Sequence, residues 1–142
     1  MNRTDRDVAR LVDAATAVRA HAYAPYSSHH VGASVLTLDG SVFAGANMET
    51  VTLQSSVHAE RAAVIAMASA GHRRLRAVCV VGPYSGIPCS ECRQTVWEFC
   101  GGDPEVVVVS APTDDPLELL TMGAIQPFPY GPETKNIDPT QY

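Results

Sequence analysis

Residues 58–92 read HAERAAVIAMASAGHRRLRAVCVVGPYSGIPCSEC, and the order of elements within them decides the fold. The alanine-rich run Ala59 to Ala70 is helical in character and stops at Gly71, a residue suited to the left-handed backbone that closes a helix. Ser55 or Ser56 is placed to cap its start near Val57, which puts His58 and Glu60 in the first turn. Ala77 to Gly82 is a continuous apolar run of strand length, the mark of a strand covered on both faces. After the glycine- and proline-rich loop Gly82 to Pro88, Cys89 and Cys92 are three apart and share one face of a second helix, continued by Val96, Trp97 and Phe99 toward Gly101-Gly102.

Working outward, Val8, Leu11, Val12, Ala15 and Val18 recur at helical spacing from Arg6 to about Tyr23, with Thr4 or Asp5 as cap. Ala24-Pro25-Tyr26-Ser27-Ser28 breaks that period. Val31 to Leu38 and Ser41 to Ala46 flank Asp39-Gly40, which favours a two-residue turn and an antiparallel hairpin. Val106 to Ser110 is a second buried strand, and Leu117 to Leu120 reads as a short helix or turn. Helices between apolar strands require crossovers, so the order predicts a three-layer α/β/α sandwich around a mixed sheet. One domain is expected over residues 1–142, with an irregular tail from about residue 123 that packs by docking.

Composition narrows the partners. A net charge of -5 and few clustered cations argue against a groove for a nucleic-acid backbone, so a small molecule is the expected ligand. No apolar run reaches the roughly 18 residues that span a bilayer, and no apolar stretch follows a basic cluster near Met1; a cytoplasmic protein is expected. In a reducing compartment a Cys-x-x-Cys pair reads as a metal or redox site before a disulfide.

Three donors, His58, Cys89 and Cys92, match a catalytic Zn²⁺ centre, which keeps three protein ligands and one open position. A structural zinc would want a fourth ligand, and a redox Cys-x-x-Cys gives no reason for His58 and Glu60. Both segments open helices, whose partial positive charge is expected to lower the cysteine pKa values. Glu60 is left free to move protons. His21, His30 and His72 read as ordinary surface or core residues, Cys79, Cys100, Trp97 and Phe99 as core or helix-end positions, and Asp114-Asp115 as a solvated turn.

His-x-Glu with Pro-Cys-x-x-Cys is the signature of zinc nucleobase deaminases. Together with Ala24-Pro25-Tyr26-Ser27, Val31-Gly32-Ala33, Asn47-Met48-Glu49, His58-Ala59-Glu60-Arg61 and Pro88-Cys89-Ser90-Glu91-Cys92-Arg93-Gln94, it makes the chain resemble the cytidine deaminase family, in its short homotetrameric branch. The resemblance implies a five-stranded mixed sheet and a homotetramer in pyrimidine salvage. It also implies Zn²⁺ on His58, Cys89 and Cys92, ribose hydroxyls on Asn47 and Glu49, and the Ala59 backbone near the ring. Glu60 would protonate N3 while zinc-activated water attacks C4, and would then give a proton to the departing ammonia, converting cytidine or deoxycytidine to the uridine product.

The departures are local. The short branch usually has cysteine where this chain has His58, so Arg61, which there offsets three thiolates, here faces two. His29 stands where phenylalanine is usual near the base, Ser90-Glu91 stands where small residues are usual, and Glu91 is a candidate partner for His29. Phe128 is a candidate aromatic for a neighbouring subunit's site. These changes keep open a second substrate class, C4-substituted or otherwise modified pyrimidine nucleosides, and a non-catalytic zinc-binding module as a third reading. A blasticidin-type deaminase fits less well, because that group lacks the Asn-x-Glu pair.

Overall fold

The computed structural model describes residue 1 and residues 5–142. Asp5 caps the first helix, α1 (Arg6–Arg19), by accepting the Asp7 N–H at 2.9 Å; Thr4, the other cap candidate, lies outside the described residues. Val8, Leu11 and Ala15 form its buried face. The helix stops short of Tyr23, where expectation carried it. Tyr23 is drawn into extended pairing instead, its N–H donating to the Asn47 carbonyl at 2.9 Å and its carbonyl accepting from the Glu49 N–H at 2.8 Å.

Strands β1 (Gly32–Thr37) and β2 (Val42–Ala46) pair antiparallel, with Gly32 opposite Ala46 and Leu36 opposite Val42. Their connection is a three-residue loop, not the expected two-residue turn: Thr37 donates its N–H to the Ser41 carbonyl at 3.0 Å, and Gly40 takes φ +87°. A turn followed by a left-handed glycine is the common three-residue solution. The Asp39 side chain locks it through the Thr37 hydroxyl and the Ser41 N–H.

Helix α2 (Ala59–Ser69) has His58 as its N-cap residue, not Ser55 or Ser56. Those serines are engaged within their own loop, Ser56 Oγ accepting from the Thr50 N–H at 3.1 Å and Ser55 bonding Thr50 and Thr52. At the other end the Gly71 N–H reaches the Ala68 carbonyl and the His72 N–H the Met67 carbonyl, with Gly71 at φ +91°, the paired bonds of a glycine-terminated helix. Then come β3 (Leu75–Gly82), α3 (Ser90–Trp97) and β4 (Val107–Pro112), with β3 and β4 parallel. The Leu117–Leu120 segment is a strand, correcting the helix-or-turn reading. As β5 (Glu118–Thr121) it runs antiparallel to β4, with Leu119 opposite Val109. Leucine and glutamate are good helix formers, but a helix this short is not self-supporting, and pairing satisfies the backbone while Leu119 and Leu120 join opposite faces of the core.

The sheet order is β2-β1-β3-β4-β5, five strands, mixed as expected. Val35, Val78 and Val108 face one layer, with Ala63, Val64 and Met67 of α2 and Val96 and Trp97 of α3; Leu36, Cys79 and Val109 face Val8, Leu11 and Ala15 of α1. Beyond β5, a short helix α4 (Met122–Ile125) and two 3-10 turns, Pro132–Lys135 and Pro139–Gln141, follow. The segment is held on α3: Arg93 Nη1 donates to the Ile125 carbonyl, Gln94 Nε2 to the Tyr130 carbonyl and Trp97 Nε1 to Glu133, at 2.8, 2.7 and 2.9 Å. Among the described residues, no helix is long and apolar enough to cross a membrane.

One register decides where chemistry sits. Gly32 opens β1 opposite Ala46, which ends β2, and opposite Val81, near the end of β3. The loop before β1, the segment after β2 and the loop after β3 therefore meet at a single end of the sheet, where α2 and α3 also begin.

Candidate metal centre and adjoining cavity

Two helix starts build the centre. His58 is the N-cap residue of α2 and Cys89 the N-cap residue of α3, and neither side chain caps its own helix. Both turn instead toward one point. His58 Nδ1 lies 3.3 Å from Cys89 Sγ and 3.5 Å from Cys92 Sγ, and the three donor atoms fall within 4.8 Å of one another. A tetrahedral zinc with Zn–S of ~2.3 Å and Zn–N of ~2.0 Å spaces its donors roughly 3.5–3.8 Å apart, so these residues need only small adjustments to hold the ion.

The electrostatics favour a cation. Burial pushes the Cys92 thiol well up, and the nearby Glu60 and Cys89 push it the same way. For Cys92 the direction is opposite to that expected of a helix start, because desolvation comes first and two neighbours of like sign add to it. A divalent ion reverses that balance, since a coordinating thiol is deprotonated outright. Cys79 and Cys100 are unlike this pair. Both are buried and pushed up to about 12 by desolvation, Cys79 inside β3 and Cys100 donating its thiol to the Val96 carbonyl, as core and helix-end positions.

A cavity of about 490 Å³ opens beside the three donors. Its wall carries His58, Cys89, Ala59 and Glu60 from the helix starts, Asn47 and Glu49 from the segment after β2, and His29 from the loop before β1. Glu60 is buried at the second position of α2 and is aimed into the same space. Arg61 and Phe128, also singled out in the sequence, lie outside this wall, as does the buried Cys92. Phe128 is 100% exposed, at φ +53° between two prolines.

Asn47 and Glu49 do more than line the wall. Asn47 Nδ2 donates to the His29 carbonyl at 2.7 Å while its Oδ1 accepts the Val31 N–H at 2.8 Å. Glu49 accepts the N–H groups of Tyr26 and Ser27 at 2.9 and 3.2 Å and the Ser27 hydroxyl. The Ser27 hydroxyl, first among the causes, holds the Glu49 carboxyl below its ordinary range against the opposing effect of burial. The two side chains thus staple residues 26–31 over the cavity. Asn47 keeps one N–H and one lone pair for a ligand, and the carboxylate keeps acceptor capacity.

Glu91 does not meet His29. It pairs with Arg61 at 3.3 Å, linking the first turns of α3 and α2, because the helix starts lie side by side while His29 sits across the cavity. The His29 ring instead stacks on Tyr84, with centroids 5.4 Å apart and planes 12° apart. Sequence reasoning passed over Tyr84; its signal was a lone aromatic in the loop leading to Pro88. His72 has its own neighbours, Phe43 and Asp39, away from the centre.

Comparison with known proteins agrees with this geometry. The family model described as the cytidine and deoxycytidylate deaminase zinc-binding region matches residues 5–110. A cytidine deaminase of Sporosarcina psychrophila is 35% identical over 131 residues, spanning 89% of this chain and 93% of its own length. One from Mycobacterium tuberculosis is 36% identical over 119 residues, covering 82% and 84%. The crystal structure of cytidine deaminase from Burkholderia pseudomallei superposes with a TM-score of 0.80 at 34% identity, covering 92% of this chain and 100% of that one. With a cavity built on two helix starts, a His-Cys-Cys donor set and a family match running through both, the chain belongs to the zinc-binding cytidine and deoxycytidylate deaminase family.

Proposed function

We propose that this protein hydrolyses cytidine or deoxycytidine to the corresponding uridine and ammonia, with Zn²⁺ held by His58, Cys89 and Cys92. The observation that carries this reading is the presence of Glu60 in the wall of the cavity that also carries His58 and Cys89. Relatives at 35% and 36% identity named cytidine deaminase support the substrate class. When bound, zinc supplies Lewis acidity at its open fourth position, bringing the pKa of a water there to ~7.

The chain's own residues do the rest. Glu60 takes a proton from the attacking water and delivers it to N3 of the base, so that the ring accepts the new C4–O bond without building charge. It then moves the proton from the C4 hydroxyl to the amino group; the C4–N bond breaks, ammonia leaves, and C4 keeps a carbonyl. Asn47 and Glu49 hold the ribose with the hydrogen-bonding capacity left after stapling residues 26–31. Ala59, the first residue of α2, offers a backbone N–H that no carbonyl of its own helix reaches, at the ring end of the cavity.

The active assembly is proposed to be a cytoplasmic homotetramer of single-domain chains serving pyrimidine salvage. The fully exposed Phe128 is the segment offered to a neighbour's cavity, whose rim carries the exposed apolar side chains of Met48 and Leu53. Arg61, neutralised by Glu91, tunes the charge around the zinc. His29 favours a second reading, in which the base carries a substituent at C4, because its imidazole brings hydrogen-bonding capacity to the wall. A panel of cytidine, deoxycytidine and C4-substituted nucleosides, followed by ammonia release and ultraviolet change, ranks them. Release from none of these would overturn the reading.

A further inference from the structure

His29 stands in the cavity wall, its backbone held by two hydrogen bonds and its imidazole by one stacking contact. Its N–H donates to Ser27 Oγ at 3.0 Å, its carbonyl accepts from Asn47 Nδ2 at 2.7 Å, and one ring face lies on Tyr84. The first two contacts fix the backbone, and only the third touches the ring. Tyr84 belongs to the loop between β3 and α3, which also leads to Cys89, so the stack joins the loop before β1 to the loop that carries a metal donor. A stacked neighbour covers a ring face and leaves the edge open. Both imidazole nitrogens lie on that edge.

We propose that Tyr84 is a positioning residue for substrate selection: it sets the plane of His29 so that the nitrogen-bearing edge of the imidazole meets a polar group of the bound pyrimidine nucleoside. Tyr84 does not touch the nucleoside itself; it acts through His29. The effect belongs to binding and not to proton transfer, because His29 stands in the cavity wall with Tyr84 behind it and Glu60 moves the protons. It rests on the nucleoside deaminase reading for its substrate.

The test compares the zinc-loaded parent with Tyr84→Ala, Tyr84→Phe, His29→Ala and the double variant His29→Ala/Tyr84→Ala. Tyr84→Ala should raise KM for cytidine about 2- to 10-fold, the range that an aromatic pair contributes, with kcat within twofold of the parent. Tyr84→Phe keeps the ring face and should restore the parent KM. In the His29→Ala background, Tyr84→Ala should add nothing. A second readout does not depend on turnover: in NMR spectra, the His29 ring protons should shift in Tyr84→Ala, where the tyrosine ring current is lost, and stay near parent values in Tyr84→Phe. An inactive parent would end the deaminase reading and with it the proposal's substrate, while the spectra still report whether Tyr84 holds the ring. An unchanged KM in Tyr84→Ala, additive losses in the double variant, or unshifted His29 signals would overturn the proposal.

Discussion

Glu60 is the residue on which the proposed chemistry turns, and its surroundings are unusual for a carboxylate: it is buried at a helix start beside Cys92. Replacing it by glutamine keeps shape and hydrogen bonding but removes the proton carrier. Glu60→Gln should therefore retain one zinc per chain and lose ~10²–10⁴ in kcat, read by metal analysis beside a rate assay. Glu49 makes a different prediction. Its carboxyl is held below its ordinary 4.5 chiefly by the Ser27 hydroxyl, with the Tyr26 and Ser27 N–H groups adding to it. A folded-state value depressed in this way contributes stability that is fully present above 4.5 and is lost as pH falls through the lower folded value. Amide exchange at Tyr26 and Ser27 should accelerate below about pH 4.5 more steeply than elsewhere in the chain. In Glu49→Gln that extra pH dependence should disappear, and its persistence would show that other carboxylates hold the loop.

The centre depends on how α2 and α3 are seated on the sheet and against each other. A Cβ on Gly45 of β2 would lie 2.4 Å from the Ala63 nitrogen and 2.6 Å from the Ala62 carbonyl carbon, so β2 approaches the α2 backbone as closely as only glycine permits. Gly45→Ala should cost ~1–3 kcal/mol in thermal unfolding and weaken zinc, because α2 must move and His58 moves with it. Unchanged stability and metal affinity would show that the close approach is not limiting. Arg61 and Glu91 tie the two helix starts on the outer side, with Glu91 largely exposed. Such a pair is worth at most about 1 kcal/mol and is screened by salt, so Glu91→Gln should weaken zinc no more than about fivefold, and less at high ionic strength. Element by element, the sequence was readable where a signal was local. Apolar runs marked β3 and β4, Thr4-Asp5 marked the start of α1, and the His-x-Glu and Cys-x-x-Cys spacings located the donors. Long-range pairing hid the rest: Tyr23 leaves α1 to meet Asn47, and Leu119 is a strand residue only because Val109 lies opposite. Ser55 and Ser56 looked like caps, but capping by side chain was not what the start of α2 required, since His58 occupies that position with its ring turned to the cysteines.

At the scale of the molecule, the mixed sheet carries an apolar layer on each face and brings three connections to one end, which leaves a cavity bounded by backbone-stapled walls. The wall is apolar at its rim, and the segment after β5 carries a fully exposed Phe128. The proposed tetramer accounts for both, and Phe128→Ala should raise KM in the tetramer without dissociating it, as sedimentation and kinetics would show together. A parent that sediments as a fully active monomer would contradict this assignment. The central claim is that a His-Cys-Cys zinc and Glu60 together deaminate a cytidine-type nucleoside. Its most direct test is ammonia release from cytidine by the parent and by Glu60→Gln, each with zinc content measured on the same sample. The account predicts one ammonia per uridine from the zinc-loaded parent and almost none from a Glu60→Gln protein that still holds its zinc. Equal turnover by the two proteins, or no ammonia from the zinc-loaded parent, would contradict it.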